Sequence, residues 1–139
     1  MIGSILVDKK PVVTVTTDAR ISEIAALLHQ HRIGAVLVMD GESIAGLVSE
    51  RDISRCLHVH GRAVHDLCAG DLMTAPVVVA DPRISVCDAM EIMTDRRFRH
   101  LPVVDNGKLL GVVSIGDLVK QRIEDAEAEA DTLKHYIAS

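Results

Sequence analysis

Two serines, each followed three residues later by an aspartate, carry the most chemistry in this chain. They are Ser114 and Asp117, in Gly111-Val112-Val113-Ser114-Ile115-Gly116-Asp117, and Ser49 and Asp52, in Gly46-Leu47-Val48-Ser49-Glu50-Arg51-Asp52. Both stretches fit G-h-h-S-x-x-D, with h apolar, and they lie 65 residues apart. A strand that ends in Ser and runs into a helix presents unpaired amides and the positive end of the helix dipole, which suits a phosphate. An ionised Asp one turn on has only acceptors, so it matches the two adjacent hydroxyls of a ribose. The same spacing also writes a capping box, which alone contributes ~1 kcal/mol to stability. Gly46 and Gly111 tilt the choice towards a ligand, because a strand glycine often marks a close approach to the backbone.

The elements that must position these residues are written twice. Without a gap, Pro11-Val12-Val13 aligns with Pro76-Val77-Val78, Arg32 with Arg97, Val38 with Val103 and Asp40 with Asp105. Self-similarity of this kind, in only two copies, indicates a pseudo-twofold pair rather than a solenoid. Within a copy the apolar period changes. Ile21, Ile24, Ala25 and Leu28 fall on one helix face, as do Val86, Ala89, Met90 and Met93. Ser85 and Asp88 mark the start of the second of these helices. The Val-rich runs Ala35–Met39 and Leu101–Val104 read as buried strands. Asp40-Gly41 and Asn106-Gly107 read as hairpin turns into Ile44–Val48 and Leu109–Val113. Each unit is strand, helix, strand, turn, strand, helix.

Around the repeats, Leu67, Leu72 and Met73 predict a short helical lead-in to the second unit, and the first ten residues a weaker one to the first. The boundaries expected are 5–60 for the first repeat, 61–75 for a linker, 76–123 for the second repeat and 124–139 for a C-terminal extension. The final helix can run from Ser114 to about Ala138, roughly 36 Å. It carries a stripe of Leu118, Val119, Ile123, Ala126, Ala130, Leu133 and Ile137 beside Glu124, Asp125, Glu127, Glu129 and Asp131. Such a helix either lies solvated on its own domain or packs against a second subunit.

Composition narrows the function. Lys plus Arg is 15 against 20 for Asp plus Glu, a net charge of −5, which argues against nucleic-acid binding through a broad basic face. Phe98 and Tyr136 are the only aromatics, so bases have no stacking platform. No membrane span and no signal peptide is legible, so the cytoplasm is the expected compartment. Cys56, Cys68 and Cys87 form no disulfide framework.

The chemistry then divides by charge. Carboxylate and phosphate repel, so Asp reads the sugar while cations hold the phosphate. Arg97, Arg99 and His100, at the start of the neighbouring strand, are the candidates. An adenine would sit among aliphatic side chains, its edge read by the backbone near Val12, Val13 and Thr14 or near Val77, Val78 and Val79. No nucleophile has a base at a recognisable spacing, so an enzyme is not expected. Cys56, His58, His60, His65 and Cys68 match no standard zinc spacing, and no metal is expected. His29 and His31 read as solvated.

Over about residues 5–123 the sequence resembles a tandem pair of CBS domains, named after cystathionine β-synthase. The motifs that carry the likeness are Arg97-Phe98-Arg99-His100-Leu101-Pro102-Val103-Val104-Asp105 with Gly111 to Asp117, and Ile33-Gly34-Ala35-Val36-Leu37-Val38-Met39-Asp40 with Gly46 to Asp52. The resemblance implies an α/β (α+β) fold of two β-α-β-β-α repeats forming one Bateman module, here with a long C-terminal helix. It implies clefts for AMP, ADP or ATP, sometimes NAD or S-adenosylmethionine, a regulatory rather than catalytic role, and a homodimer. Carried over by residue, Asp52 and Asp117 bind ribose, Ser49 and Ser114 lie at ribose or phosphate, and Arg99 and His100 contact phosphate. The first copy has Gly34 and Ala35 at those cationic positions, with Arg51 in place of Gly116, so the two sites are expected to differ in ligand preference. The alternative is a protein-interaction module with degenerate clefts, in which both motifs are only caps.

Overall fold

The computed structural model describes residues 1–138, so the last residue of the expected 124–139 extension lies outside it. The chain forms two compact units. The first is Pro11–Val77, and the second joins Met1–Lys10 to the chain from Val78 onward.

The first unit runs β1 (Thr14–Thr16), α1 (Ile21–His31), β2 (Ala35–Asp40), β3 (Ser43–Ser49), α2 (Glu50–His60), a 3-10 turn (Gly61–Asp66) and α3 (Ala69–Leu72). β1 pairs parallel with β2, and β2 pairs antiparallel with β3. Ile21, Ile24 and Leu28 of α1 pack on Val36 and Val38 of β2, on Val48 of β3 and on Cys56 of α2. The helical period of the first set and the two-residue period of the strand set meet on one core face.

The second unit runs a 3-10 segment (Ile2–Asp8), α4 (Val86–Arg96), β4 (His100–Asp105), β5 (Lys108–Ser114) and α5 (Ile115–Ala138). β4 and β5 are antiparallel. The expected strand around Val77–Val79 is reduced to Ala80, which donates to the Pro102 carbonyl and accepts from the Val104 amide, both at 2.9 Å. Val78 still packs on the core, but it makes no ladder bond, so burial outlasts strand pairing here. Leu118 is the only fully buried residue of α5, and every residue from Arg122 to Ala138 is exposed. Among the described residues no helix is long and apolar enough to cross a membrane.

The repeat extends to fine detail. Each hairpin carries a bulge beside its glycine, between Val38 and Met39 opposite Gly46 and Ile44, and between Val103 and Val104 opposite Gly111 and Leu109. Arg32 and Arg97 both take left-handed backbone (φ 53° and 58°) just after α1 and α4, a position that usually favours glycine. There the amides of Ile33 and Phe98 reach back to the carbonyls of Leu28 and Met93, closing each helix end. The turns differ by one residue from expectation in the first unit. Asp40 pairs with Ser43, so Gly41 and Glu42 form the turn, whereas Asn106 and Gly107 form the other, both at positive φ.

The lead-in segments exchange partners relative to the sequence reading. Ile2, Ile5 and Leu6 belong to the core of the second unit, and Leu72 and Met73 to that of the first. The amides of Ile2 and Gly3 donate to the carbonyls of Ile84 and Pro82, and Thr74 exchanges backbone bonds with Leu47. Each short apolar segment therefore completes the repeat it does not precede.

Candidate functional site

At the end of β5 the backbone passes directly into α5, which sets Ser114 at the cap of the helix and Asp117 one turn inside it. The Ser114 amide donates to Asp117 Oδ2 at 2.8 Å, and the Asp117 amide donates to Ser114 Oγ at 3.1 Å. The capping box is thus formed. Strand register places His100 directly opposite Ser114, and the Ile115 amide donates to the Arg99 carbonyl at 2.8 Å. The backbone of Arg99 and His100 therefore runs beside the serine.

Lys9 was not foreseen. Its Nζ donates to Asp117 Oδ2 at 2.5 Å and to the Val112 carbonyl at 2.9 Å. Burial pushes the Asp117 carboxyl up, but the Lys9 hydrogen bond, the Ser114 amide, the Lys9 charge and the Ser114 hydroxyl together hold it below its ordinary 3.8. The Lys9 ammonium and the Ser114 amide both use Oδ2. The side chain is 27% exposed.

The corresponding corner of the first unit is closed. Asp52 Oδ2 accepts from the Ser49 amide at 2.8 Å and from Ser49 Oγ at 3.0 Å. Oδ1 accepts from Arg55 at 2.9 Å and from Thr74 Oγ1 at 3.3 Å. The side chain is only 7% exposed. Both oxygens are occupied, and burial leaves little room for a diol to compete.

Thr74 and Lys9 hold the same place, since 74 − 9 is the repeat offset of 65. One contributes a hydroxyl to Asp52 and the other an ammonium to Asp117. The clue lay in carrying the alignment two residues below position 11, into the lead-in.

The remaining candidates fall as follows. Gly34 and Ala35 occupy the first-unit positions of Arg99 and His100, with the Glu50 amide donating to the Gly34 carbonyl at 3.0 Å. Val13 accepts from the Leu37 amide, Val12 is half-buried and Thr14 exposed. Val77 ends the first unit, while Val78 and Val79 open the main stretch of the second. Arg51 and Gly116 are exposed in the first turns of α2 and α5. Arg97 is exposed at the end of α4.

The glycines have a packing explanation. A Cβ on Gly46 would come within 2.5 Å of Met73 Sδ, and one on Gly111 within 2.8 Å of a Leu6 methyl. The close approach is made by the exchanged lead-in segments, so these glycines do not themselves argue for a ligand. Among the described residues no three His, Cys, Asp or Glu side chains gather as metal ligands.

The CBS domain profile matches residues 2–59 and again 69–124. The chain belongs to the CBS-domain family. A CBS-domain containing protein from Agrobacterium tumefaciens is 41% identical, with a TM-score of 0.83 over 87% of this chain and 98% of that one. A CBS domain protein from Pyrobaculum aerophilum, solved complexed with AMP, is 32% identical, with a TM-score of 0.73 over 84% of this chain and 88% of that one. Among curated proteins, CBS domain-containing protein CBSX3, mitochondrial, of Arabidopsis thaliana is 35% identical over 88% of this chain. This chain spans 62% of that relative's length. In this CBS pair the Ser-x-x-Asp corner occurs twice, with bonds on both oxygens of Asp52 and with Lys9 and the Ser114 amide sharing Oδ2 of Asp117.

Proposed function

We propose that this CBS pair is a non-catalytic regulatory sensor that binds an adenosine nucleotide (AMP, ADP or ATP, with NAD as a further candidate) at the Asp117 corner. The observation that carries the reading is a 27% exposed carboxylate at a helix N-terminus, with Ser114 and His100 beside it and with Lys9 and the Ser114 amide both on its Oδ2. The AMP complex of the Pyrobaculum relative supports the ligand class. Oδ1 accepts from the ribose, and the Gly116 amide in the first turn of α5, with Arg99 and His100, serves the phosphate. Bound nucleotide biases the packing of the repeats, and that bias is the signal.

Thermal melting with AMP, ATP and NAD tests this. Ligand at a hundredfold excess over Kd stabilises by about 2.7 kcal/mol, a shift of several degrees. Asp117→Ala should abolish most of the shift. Unchanged melting with every adenine nucleotide at millimolar concentration would sink the proposal.

A second role is supported by the bare C-terminal part of α5. Ile123, Leu133 and Ile137 are more than half exposed there. We propose that a second copy covers them in a homodimer, where antiparallel pairing sets Lys134 against the Glu124–Asp131 stretch of its partner. If Asp117 binds nothing, the module is an interaction subunit held together by this helix.

A further inference from the structure

We infer that Lys9 is the specificity-determining cation of the Asp117 corner, selecting anionic adenosine ligands over neutral or sulfonium ones. The inference rests on the nucleotide reading above and deepens it. An ammonium carries three donors, and the structure uses two of them, on Asp117 Oδ2 and the Val112 carbonyl. The third remains for a ligand, and the side chain is 35% exposed, so a ligand can reach it. Lys9 bonds Oδ2, so a ribose read by Oδ1 does not compete with it for the same atom.

The electrostatic need is specific. A phosphate near the Asp117 carboxylate meets a like charge, and an ammonium between them offsets it. A sulfonium at the same place would be attracted by Asp117 but repelled by Lys9. The first unit provides an internal contrast. There the equivalent residue is the neutral Thr74, and the equivalents of Arg99 and His100 are Gly34 and Ala35. Lys9 is the cationic side chain that the structure places at the Asp117 corner, and it reaches it from the far end of the chain.

Isothermal titration of the full chain with AMP, adenosine and S-adenosylmethionine tests this in the wild type, Lys9→Met, Lys9→Arg and Asp117→Asn. Lys9→Met should weaken AMP about tenfold, the effect of one charge-assisted hydrogen bond at a half-exposed site, and leave adenosine within about twofold. It should also narrow the preference for AMP over S-adenosylmethionine, and Lys9→Arg should retain most of both. Melting curves identify any loss of folding, and the ratio of AMP to adenosine affinity within each variant is independent of it. If Lys9→Met weakens AMP and adenosine equally, or tightens both, Lys9 acts as a brace or a competitor and the inference is overturned. If Lys9→Met is silent while Asp117→Asn abolishes AMP binding, the inference alone fails. If the wild type binds none of the three, the nucleotide reading fails and takes the inference with it.

Discussion

Lys9 Nζ lies 2.5 Å from Asp117 Oδ2, joining residues 108 positions apart across the whole sequence of the repeats. This ion pair seats the N-terminal segment on the second unit and keeps a carboxylate charged where burial alone would discourage it. Its counterpart is not an ion pair but a hydroxyl contact, Thr74 to Asp52. The same fold position thus has two electrostatic settings.

The pair makes stability depend on acid. The Asp117 carboxyl titrates lower in the folded chain than its ordinary 3.8. A group of this kind stabilises above its unfolded pKa and loses that contribution as pH falls through the folded one. Asp117→Asn should therefore melt below the wild type at pH 7, and the gap should close as pH falls below about 4. Melting curves from pH 7 to pH 2.5 check this. A gap that stays constant into acid would show that the charge of Asp117 is not what stabilises.

The two aspartates should divide stability and binding between them. Removing Asp52 strands the Ser49 amide in a part-buried corner, and takes their shared partner from the exposed Arg55 and Thr74. Asp52→Ala should cost about 2–3 kcal/mol in urea unfolding, against about 1 kcal/mol for Asp117→Ala. Nucleotide titration should show the reverse order, with Asp117→Ala losing AMP and Asp52→Ala keeping it. Equal losses of binding would mean that both corners take ligand.

Much of the fold was legible because its signals are local. Ser85 caps α4 as its spacing with Asp88 implied, and Asn106-Gly107 makes the turn its residue types demand. The same locality explains what was missed. Which repeat a short apolar segment covers is decided by contacts such as Leu6 over Gly111, and no window of sequence contains both. The Val77–Val79 run has a strand's composition, yet pairing depends on a partner edge, and only Ala80 finds one. At the candidate site, the Ser114–Asp117 capping box and its place beside the start of β4 were readable from the motif. Lys9 was not, because a lone lysine before a repeat reads as a solvated side chain until the fold closes the distance.

The two packing glycines should differ in cost. An alanine at Gly46 would meet Met73 along its length, at Sδ, Cγ and Cβ within 2.9 Å. The Cβ cannot swing away without moving the backbone of Met73. At Gly111 the nearest atom is a terminal Leu6 methyl at 2.8 Å, which a rotamer change can relieve. Gly46→Ala should therefore destabilise by about 1–3 kcal/mol, and Gly111→Ala by less. Urea midpoints at equal slope decide it, and the reverse order would mean that Met73 yields more readily than Leu6.

Removing the chain from residue 124 onward tests the helix separately from the corner. The described residues of that segment are all exposed, so deleting them removes no core contact. If α5 joins two copies, the intact chain elutes as a dimer and melts higher as its concentration rises, because association stabilises the folded state. The shortened chain should elute as a monomer with a melting temperature independent of concentration. AMP binding at Asp117 should survive, since Lys9, Ser114 and Asp117 all lie outside the deleted part. Elution that does not change would place any dimer contact elsewhere on the two units. Loss of AMP binding with loss of the dimer would instead mean that the second copy completes the ligand site.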